Sequence, residues 1–265
     1  MATGKPWSRE ELIVVFNVYC TMSFGQMHSR NPRIIEIARV LGRTPGSVAM
    51  KLVNFASFDP AHQARGVSGL SGASRADRVI WDEFHSDWER LAFESEHRLN
   101  ELMPIPEGQV KPSGLPIARP IQFPDSLPDG PTESIRAVRV RTVQGFFRKA
   151  VLAAYQCRCC ITGNPVPELL IASHILPWSE FPENRIDPSN GLCLAAHFDK
   201  AFDQGLISFD EDMRLLISTE LRRHLPNDAL IREFIPMENA ELRMPEKFRP
   251  NLDFMRHHRE RIFRA

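Results

Sequence analysis

Apolar residues recur at helical spacing near the start of the chain. Ser8-Arg9-Glu10-Glu11 matches a capping box, in which a serine side chain and a glutamate three residues later satisfy each other's backbone N–H groups. The residues that then fall on one helical face are Leu12, Val15, Phe16 and Tyr19. This pattern predicts a helix that begins directly after Ser8.

Two further helices are predicted from Pro32 to Leu41 and from Pro45 to about Ala56, with Thr44 as the N-cap of the second. Gly42 interrupts the pattern between them, and two helices joined by a short turn form the outline of a helix-turn-helix. The stretch 37–48 resembles that of many bacterial DNA-binding modules. The side chains expected to contact DNA from it are Arg43, Ser47, Lys51 and Asn54. Such units also serve as packing motifs and dimer contacts, so a protein-binding role remains the alternative.

A long helical segment is predicted from Ser74 to Leu102. Its apolar stripe consists of Ile80, Trp81, Phe84, Trp88, Leu91, Ala92 and Ser95. An aromatic stripe at this spacing is more often core than a surface for stacking bases, and we assign it to the core.

Prolines crowd the middle of the chain, in a stretch without helical or strand periodicity. They are Pro104, Pro106, Pro112, Pro116, Pro120, Pro124, Pro128 and Pro131. Such a segment resists packing and is typical of an extended linker. The predicted organisation is therefore a helical domain at 1–102, a linker at 103–131 and a second domain at 132–265.

The second domain mixes helices and strands. A helix is predicted from Glu133 to Tyr155, a strand from Leu170 to Ile175 and a terminal helix from Asp253 to Arg264. Segments 206–209 and 215–217 look like a hairpin. The first helix carries a basic flank, and we expect Arg141 and Arg148 within it to follow DNA phosphates.

Composition narrows the class of protein. The 265 residues are 43% hydrophobic and 25% charged with a net charge of zero, which disfavours a purely electrostatic DNA binder and requires local basic clusters instead. There is no apolar window long enough for a membrane span and no signal-peptide pattern. Five cysteines form no secreted-type framework, so a cytoplasmic protein with reduced thiols is expected.

The candidate chemistry lies between residues 173 and 203. His174 stands at the predicted strand end, Asn190 follows after a loop, and a helix then carries Asp199 and Asp203. Positions four apart share one helical face, so the two aspartates can converge on a single cation. Carboxylate oxygens suit Mg²⁺ or Mn²⁺, which retain waters and bind substrate phosphate.

Four ordered blocks carry a resemblance to the HNH family of ββα-metal nucleases, in particular its bacterial restriction-associated branch. The family patterns are C-x-T-G, S/A-H-I-x-P-W, N-G-L-x-L and F-D-x-G-L-I. They appear here as Cys160-Ile-Thr162-Gly163, Ser173-His174-Ile175-Leu-Pro177-Trp178, Asn190-Gly191-Leu192-Cys-Leu194 and Phe202-Asp203-Gln-Gly205-Leu206-Ile207. The likeness runs from about Arg141 to Ser218.

The resemblance implies a role for each matching position. His174 would be the general base that takes a proton from the attacking water, and Asn190 would brace the loop that orients it. Asp199 and Asp203 would bind the metal, and the products would carry 5′-phosphate and 3′-hydroxyl ends. Two positions depart from the pattern. Ser173 stands where many members carry a metal-binding Asp or His, and His197 lies two residues before the usual helix ligand, so it ranks behind the aspartates as a ligand.

The cysteines offer a different interpretation. Cys157 and Cys160 could form half of a zinc site, but a second C-x-x-C is missing and Cys193 stands alone. Buried free thiols are therefore favoured over structural zinc.

The sequence as a whole predicts an α+β protein. Its parts would be a helix-turn-helix or winged-helix-like domain, a Pro-rich linker and a ββα-metal nuclease domain. The resemblance implies a divalent-metal endonuclease acting on double-stranded DNA, in restriction or defence and modification-dependent as a subtype. One such site cuts one strand, so double-strand cleavage requires a homodimer or sequential nicks. The alternative is a transcriptional regulator or interaction module whose HNH fold is inactive.

Overall fold

The structure is a computed structural model that describes residues 5–66, 74–103 and 131–265, with the side chains of the last range described from residue 137. The predicted Pro-rich linker therefore lies almost entirely outside the described residues. The basic flank of the following helix is described from Arg139 onward.

The N-terminal part is helical throughout its described length. Its helices are α1 (Arg9–Cys20), α2 (Pro32–Val40), α3 (Pro45–Ala56), α4 (Pro60–Ala64), α5 (Arg75–Ser86) and α6 (Trp88–Leu102). The capping box at Ser8 is confirmed, since its backbone N–H donates to Glu11 and its hydroxyl accepts from the Glu11 N–H. Thr44 caps α3 as predicted, because its hydroxyl accepts from the Ser47 N–H at 3.2 Å.

Helix α1 forms the centre of this part. Every residue from Glu11 to Cys20 is buried, because α3, α5 and α6 surround the helix together with a long helix described below. The ring of Phe16 packs against aromatic rings of the neighbouring helices. Its centroid lies 4.2 Å from that of Phe84 and 5.7 Å from that of Trp81. A helix that is apolar on all sides is expected to be buried on all sides.

The segment predicted as one helix from Ser74 to Leu102 is two helices. The chain breaks at Asp87, whose φ of −156° is not helical and whose side chain accepts from the Arg90 N–H at the start of α6. Aspartate competes with a continuous helix because it satisfies the free N–H groups of a helix start. The apolar stripe remains core, as predicted, since both helices turn it toward α1.

The C-terminal part has four strands. Its elements are α7 (Pro131–Ala154), β1 (Leu170–His174), β2 (Gly191–Ala195), α8 (Ala196–Asp203), β3 (Ile207–Phe209), β4 (Leu215–Ile217), α9 (Thr219–Arg222), α10 (Asp228–Glu233) and α11 (Leu252–Arg261). Strands β1 and β2 pair antiparallel with Ser173 opposite Leu192, and β3 and β4 form the predicted hairpin. The α+β class is confirmed.

Helix α7 joins the two parts. It packs against α1 and α6 and also against β1 and β2. Its approach to β2 requires a glycine, since a Cβ on Gly191 would lie 2.3 Å from Cγ2 of Val151. In the Asn-Gly pair, the glycine is therefore required for the packing of α7 against β2, and the asparagine holds the adjacent loop.

The chain after β4 also contacts the N-terminal helices. The ammonium group of Lys247 is buried at the end of α1, where it donates to the backbone carbonyls of Tyr19 and Met22. The N–H of Phe248 donates to the carboxylate of Asp59 at 3.1 Å. Carbonyls at a helix C-terminus lack intrahelical partners, so Lys247 satisfies groups that burial would otherwise leave unpaired.

No helix in the described ranges is long and apolar enough to cross a membrane.

Candidate active site

The candidate site is built on the unit β1–β2–α8. Strand β1 ends at His174, β2 lies beside it, and α8 begins directly after β2 and packs back onto β1. This order places the strand end and the side chains of α8 next to each other. The ββα arrangement implied by the family resemblance is therefore present.

His174 is held on three sides. Its ring stacks on Phe147 of α7 with centroids 4.1 Å apart and planes 8° from parallel, and Trp178 contacts it edge-on at 5.3 Å. Its Nε2 lies 2.9 Å from the backbone carbonyl of Arg185. A carbonyl only accepts, so Nε2 carries the proton and the lone pair of the neutral ring is on Nδ1.

Burial lowers the pKa of His174 to about 4, and the nearby charge of Arg185 acts in the same direction. The hydrogen bond that the ring donates to the Arg185 carbonyl opposes part of this shift. The imidazole is therefore neutral at pH 7. Its proton position and its ring orientation are both fixed before any substrate binds, which is what a general base requires.

Asn190 ties the loop that follows β1. The side chain is almost fully buried; its Oδ1 accepts from the Leu176 N–H at 2.8 Å and its Nδ2 donates to the Asn184 carbonyl at 3.1 Å. Its own carbonyl accepts from the Ile175 N–H at 3.0 Å. One residue therefore links the two ends of the loop that carries Arg185, the partner of His174.

Asp199 and Asp203 lie one turn apart on α8. Burial raises the pKa of Asp203 to about 6, and the charge of Asp199 adds to that rise. Burial also raises the pKa of Asp199, although the neighbouring hydroxyl of Ser173 offsets part of it. That hydroxyl oxygen is buried and has no hydrogen-bond partner of ordinary geometry among the described residues.

These three side chains fit a hard divalent cation. Two carboxylates with raised pKa values and an orphaned buried hydroxyl present oxygen donors, which suit Mg²⁺ or Mn²⁺ better than zinc. Within the part of the chain that the structure describes, there is no group of three or more His, Cys, Asp and Glu side chains arranged to hold a metal. Waters and a substrate phosphate would have to complete the coordination, as is usual for Mg²⁺.

His197 points to a different neighbour. Its Nε2 lies 4.0 Å from Oε2 of Glu233, and its half-exposed ring lies beside Phe198 and Phe234. Residues two apart on a helix face different directions. The structure thus does not bring His197 to Asp199 and Asp203.

Cys159, Cys160 and Cys193 are buried near the end of α7 and in β2, and all three are free thiols. Cys159 is buried and its Sγ accepts from the N–H groups of Ala195 (3.3 Å) and Thr162 (3.5 Å). Burial raises the pKa of the Cys160 and Cys193 thiols, which keeps them protonated near neutral pH.

The α2–α3 side chains predicted to contact DNA are held by the protein itself. Arg43 pairs with Glu11 at 2.7 Å and donates to the carbonyls of Lys5 and Pro6. Lys51 pairs with the buried Asp77 at 2.7 Å, and Nδ2 of Asn54 donates to the same carboxylate at 3.0 Å.

The remaining predicted contacts differ in exposure. Ser47 donates to the Thr44 carbonyl at 2.8 Å. Arg148 is partly buried and donates to the carbonyl of Leu170 at 2.8 Å, at the start of β1. Arg141 is exposed on α7.

Several residues at the site were not recognised from the sequence. Phe147 was expected only as part of the predicted helix from Glu133 to Tyr155, and no role was predicted for Arg185. Arg185 donates from Nε to the Trp178 carbonyl at 2.6 Å and lies over the Trp178 ring at 5.1 Å. The Trp and Arg were both visible in the sequence, but their contact depends on the path of the loop between them.

A comparison with known protein families agrees with this geometry. The sequence profile of a family described as HNH endonuclease matches residues 159–210, which include His174, Asn190, Asp199 and Asp203. This segment is an HNH endonuclease domain, a class of nuclease that generally uses divalent metals and acts on nucleic acids. No curated protein matches the chain.

Proposed function

We propose that this protein is a divalent-metal-dependent endonuclease that hydrolyses phosphodiester bonds of double-stranded DNA. The observation that carries the proposal is the meeting of two features on one ββα unit. One is a neutral imidazole fixed by Phe147 and the Arg185 carbonyl, and the other is a pair of carboxylates that form no ion pair with any described residue.

His174 acts as the general base. Its Nδ1 takes a proton from the attacking water, while its Nε2–H stays bonded to the Arg185 carbonyl. The water oxygen attacks phosphorus, the bond to the 3′-oxygen breaks and this oxygen takes a proton from solvent water, which leaves 5′-phosphate and 3′-hydroxyl ends. Asn190 keeps the Arg185 loop closed, so it is a positioning residue for the base.

Asp199, Asp203 and Ser173 would hold Mg²⁺ or Mn²⁺ beside the base. A bound metal supplies charge neutralisation at the scissile phosphate and at the leaving oxygen. In its absence burial, and then the charge of Asp199, raises the pKa of Asp203. His197 is not included in the ligand set because it faces Glu233.

We further propose a bacterial cytoplasmic restriction or defence role, with modification dependence as a subtype and with the N-terminal helices contributing to DNA recognition. The restriction-type motif blocks support the first part, and the paired helices α2 and α3 support the second. Cutting both strands would need two copies of the chain or two successive nicks.

Plasmid cleavage tests the nuclease. Wild-type protein and His174→Ala are compared with Mg²⁺ or Mn²⁺ on plain, methylated and hydroxymethylated DNA. Cleavage by wild type alone is expected, with the preferred substrate revealing any modification dependence. If wild type and variant both leave every substrate intact, the nuclease proposal fails.

A second function for the N-terminal helices is protein binding. It is favoured by the internal pairing of Arg43 and Lys51 and by exposed apolar side chains on α2 and α3, namely Ile35 (46% exposed) and Met50 (55% exposed). A gel shift of the full chain without metal discriminates the two. If α3 faces DNA, the positive charge added by Met50→Lys leaves DNA affinity unchanged or raises it. If α3 instead binds a protein, the same substitution abolishes binding of that partner.

A further inference from the structure

A cleft lies where the end of α7 meets α4 and the segment 243–249. Its volume is about 350 Å³, and its lining includes Arg65, Arg158, Arg243, Arg249, Tyr155 and Glu246. Ligand pockets usually begin at roughly 300 Å³, so this space is large enough for a small charged group. It shares no residue with the His174, Asp199 and Asp203 site.

Four arginines line this cleft. Arg65, Arg158, Arg243 and Arg249 are all exposed, and no described residue offers any of them a carboxylate within ion-pair distance. Elsewhere in the described chain arginines commonly pair with acids, as Arg9 does with Glu83 and Glu94. Like charges at one site repel each other, and an anion would relieve that repulsion.

The one carboxylate in the lining is already occupied. Glu246 is buried; one of its oxygens accepts from the Phe24 N–H and the other from Nε2 of Gln156 at 2.8 Å. It therefore fixes the cleft wall and forms no ion pair with the four arginines, which have no carboxylate partner among the described residues.

Tyr155 forms part of the inner wall of the cleft, and its side chain is only 6% exposed. Its hydroxyl is buried near Cys160 and Cys193 and has no hydrogen-bond partner among the described residues. The polar groups that face the open side of the cleft are therefore the arginines.

Gly163 places one of the arginines. A Cβ on this residue would lie 3.1 Å from Cζ of Arg243, and its φ of +74° favours glycine. The backbone N–H of Arg243 donates to the Cys160 carbonyl at 2.9 Å. The two ends of the Cys160–Gly163 block thus set the position of Arg243 at the cleft.

We propose that this cleft binds a phosphate group. Guanidinium groups present planar sets of donors that match phosphate oxygens, and several together are typical of phosphate recognition. The phosphate belongs either to the backbone of bound DNA, in which case the inference rests on the proposed function, or to a free nucleotide-type ligand.

Binding measurements with two probes test this, both without divalent metal so that cleavage does not intervene. Pyrophosphate represents the free ligand and is titrated by calorimetry. A fluorescein-labelled duplex of about 20 base pairs represents the backbone and is followed by anisotropy from ~50 to ~200 mM salt. The cleft variant is Arg158→Gln with Arg249→Gln, and the matched control is Arg30→Gln with Arg223→Gln, which removes two positive charges outside the cleft.

The cleft variant is expected to lose about tenfold or more in affinity for at least one probe, while the control stays within about twofold of wild type. A backbone contact would also lower the slope of log affinity against log salt by about two. Loss for pyrophosphate alone identifies a free ligand, and loss for the duplex alone identifies DNA. Equal affinities in all three proteins for both probes overturn the proposal, and so does an equal loss in the control.

A second pair of substitutions separates charge from folding. Arg158→Lys with Arg249→Lys keeps the charge but removes the planar donors, and intermediate affinity is expected. Unchanged thermal unfolding is required of each variant. Cleavage by wild type is measured separately, so the cleft proposal can fail while the nuclease proposal stands, and the reverse.

Discussion

The imidazole of His174 lies flat on the phenyl ring of Phe147, with centroids 4.1 Å apart and planes 8° from parallel. The two residues come from different elements, since Phe147 belongs to α7 and His174 ends β1. The base of the proposed reaction is therefore oriented by a helix that lies outside the ββα unit. Because α7 also packs against α1 and α6, the N-terminal helices support the orientation of the base.

Replacing Phe147 with leucine is expected to slow cleavage without weakening DNA binding. Leucine keeps an apolar side chain on α7 but removes the flat surface that orients His174. A small misplacement of a catalytic group costs about tenfold to a hundredfold in rate, so kcat falls while KM stays near the wild-type value. The measurement is steady-state plasmid cleavage.

Phe146→Leu is the matched control for this experiment. Phe146 is the neighbouring buried ring on α7, but it faces Trp88, with ring centroids 6.4 Å apart. Its loss is expected to lower stability by a similar amount and to leave kcat within about threefold of wild type. Equal losses of kcat in both variants would show that Phe147 acts through general packing.

Asp203→Asn is expected to change stability and metal binding in opposite directions. Without metal the substitution removes a charge that burial and Asp199 disfavour, so the melting temperature in EDTA rises slightly. With Mn²⁺ the variant loses a ligand, so affinity falls by about tenfold or more. Calorimetric titration of Mn²⁺ and thermal melts in EDTA measure the two effects.

Asp212→Asn is the control, because Asp212 is exposed in the β3–β4 turn. It is expected to leave both Mn²⁺ affinity and the EDTA melt unchanged. If Asp203→Asn binds Mn²⁺ as well as wild type does, Asp203 is not a metal ligand.

The sequence predicted most of the elements, because their signals are local. The capping box at Ser8, the N-cap at Thr44 and the apolar run of β1 depend on neighbours within a few residues. The break between α5 and α6 at Asp87 was not predicted. The apolar stripe continues across this residue, and its helical spacing indicated one continuous helix. A cap and an interior aspartate look alike in the sequence until the φ angle is known.

The site residues that belong to a sequence motif were predicted. Those whose position depends on packing between distant segments of the chain were not. The spacing of Asp199 and Asp203 on one helical turn follows from helix geometry. No local pattern could place Phe147 on His174, since 26 residues of intervening chain separate them. Lys51 and Asp77 lie 26 positions apart, so no local pattern showed that this predicted DNA contact also has an intramolecular partner.

Gly191→Ala is expected to destabilise the protein, and Gly145→Ala to stabilise it. The added Cβ at residue 191 would overlap Val151 at 2.3 Å and contact Phe147 at 3.0 Å, which forces α7 away from β2. Overpacking of this kind costs about 1–3 kcal/mol. At Gly145 in α7 a Cβ meets nothing within 4 Å, and alanine in a helix interior is more favourable by about 1 kcal/mol.

Chemical denaturation of the two glycine variants measures these changes. Gly191→Ala is also expected to reduce cleavage, because Phe147 orients His174, whereas Gly145→Ala keeps wild-type activity. A stable Gly191→Ala variant with full activity would contradict the close approach of α7 to β2.

His258 makes stability depend on pH. It is buried against Phe202 with ring centroids 3.6 Å apart, and its two nitrogens contact the Phe202 carbonyl and the Ser208 hydroxyl, each at 3.0 Å. Burial lowers the pKa of His258 from 6.5 to about 4. The unfolded chain therefore binds more protons than the folded chain between these two values, and acid favours unfolding.

The contribution of His258 is expected to be fully present above about pH 6.5 and to disappear as the pH falls toward 4. A shift of this size corresponds to about 3 kcal/mol in the free energy of unfolding. His258→Gln keeps a donor and an acceptor but cannot titrate, so the difference between wild type and this variant should shrink by that amount over the same range. His224→Gln is the control, because His224 is exposed. Denaturant unfolding at several pH values measures both differences, and parallel curves for wild type and His258→Gln would show that His258 does not titrate in this range.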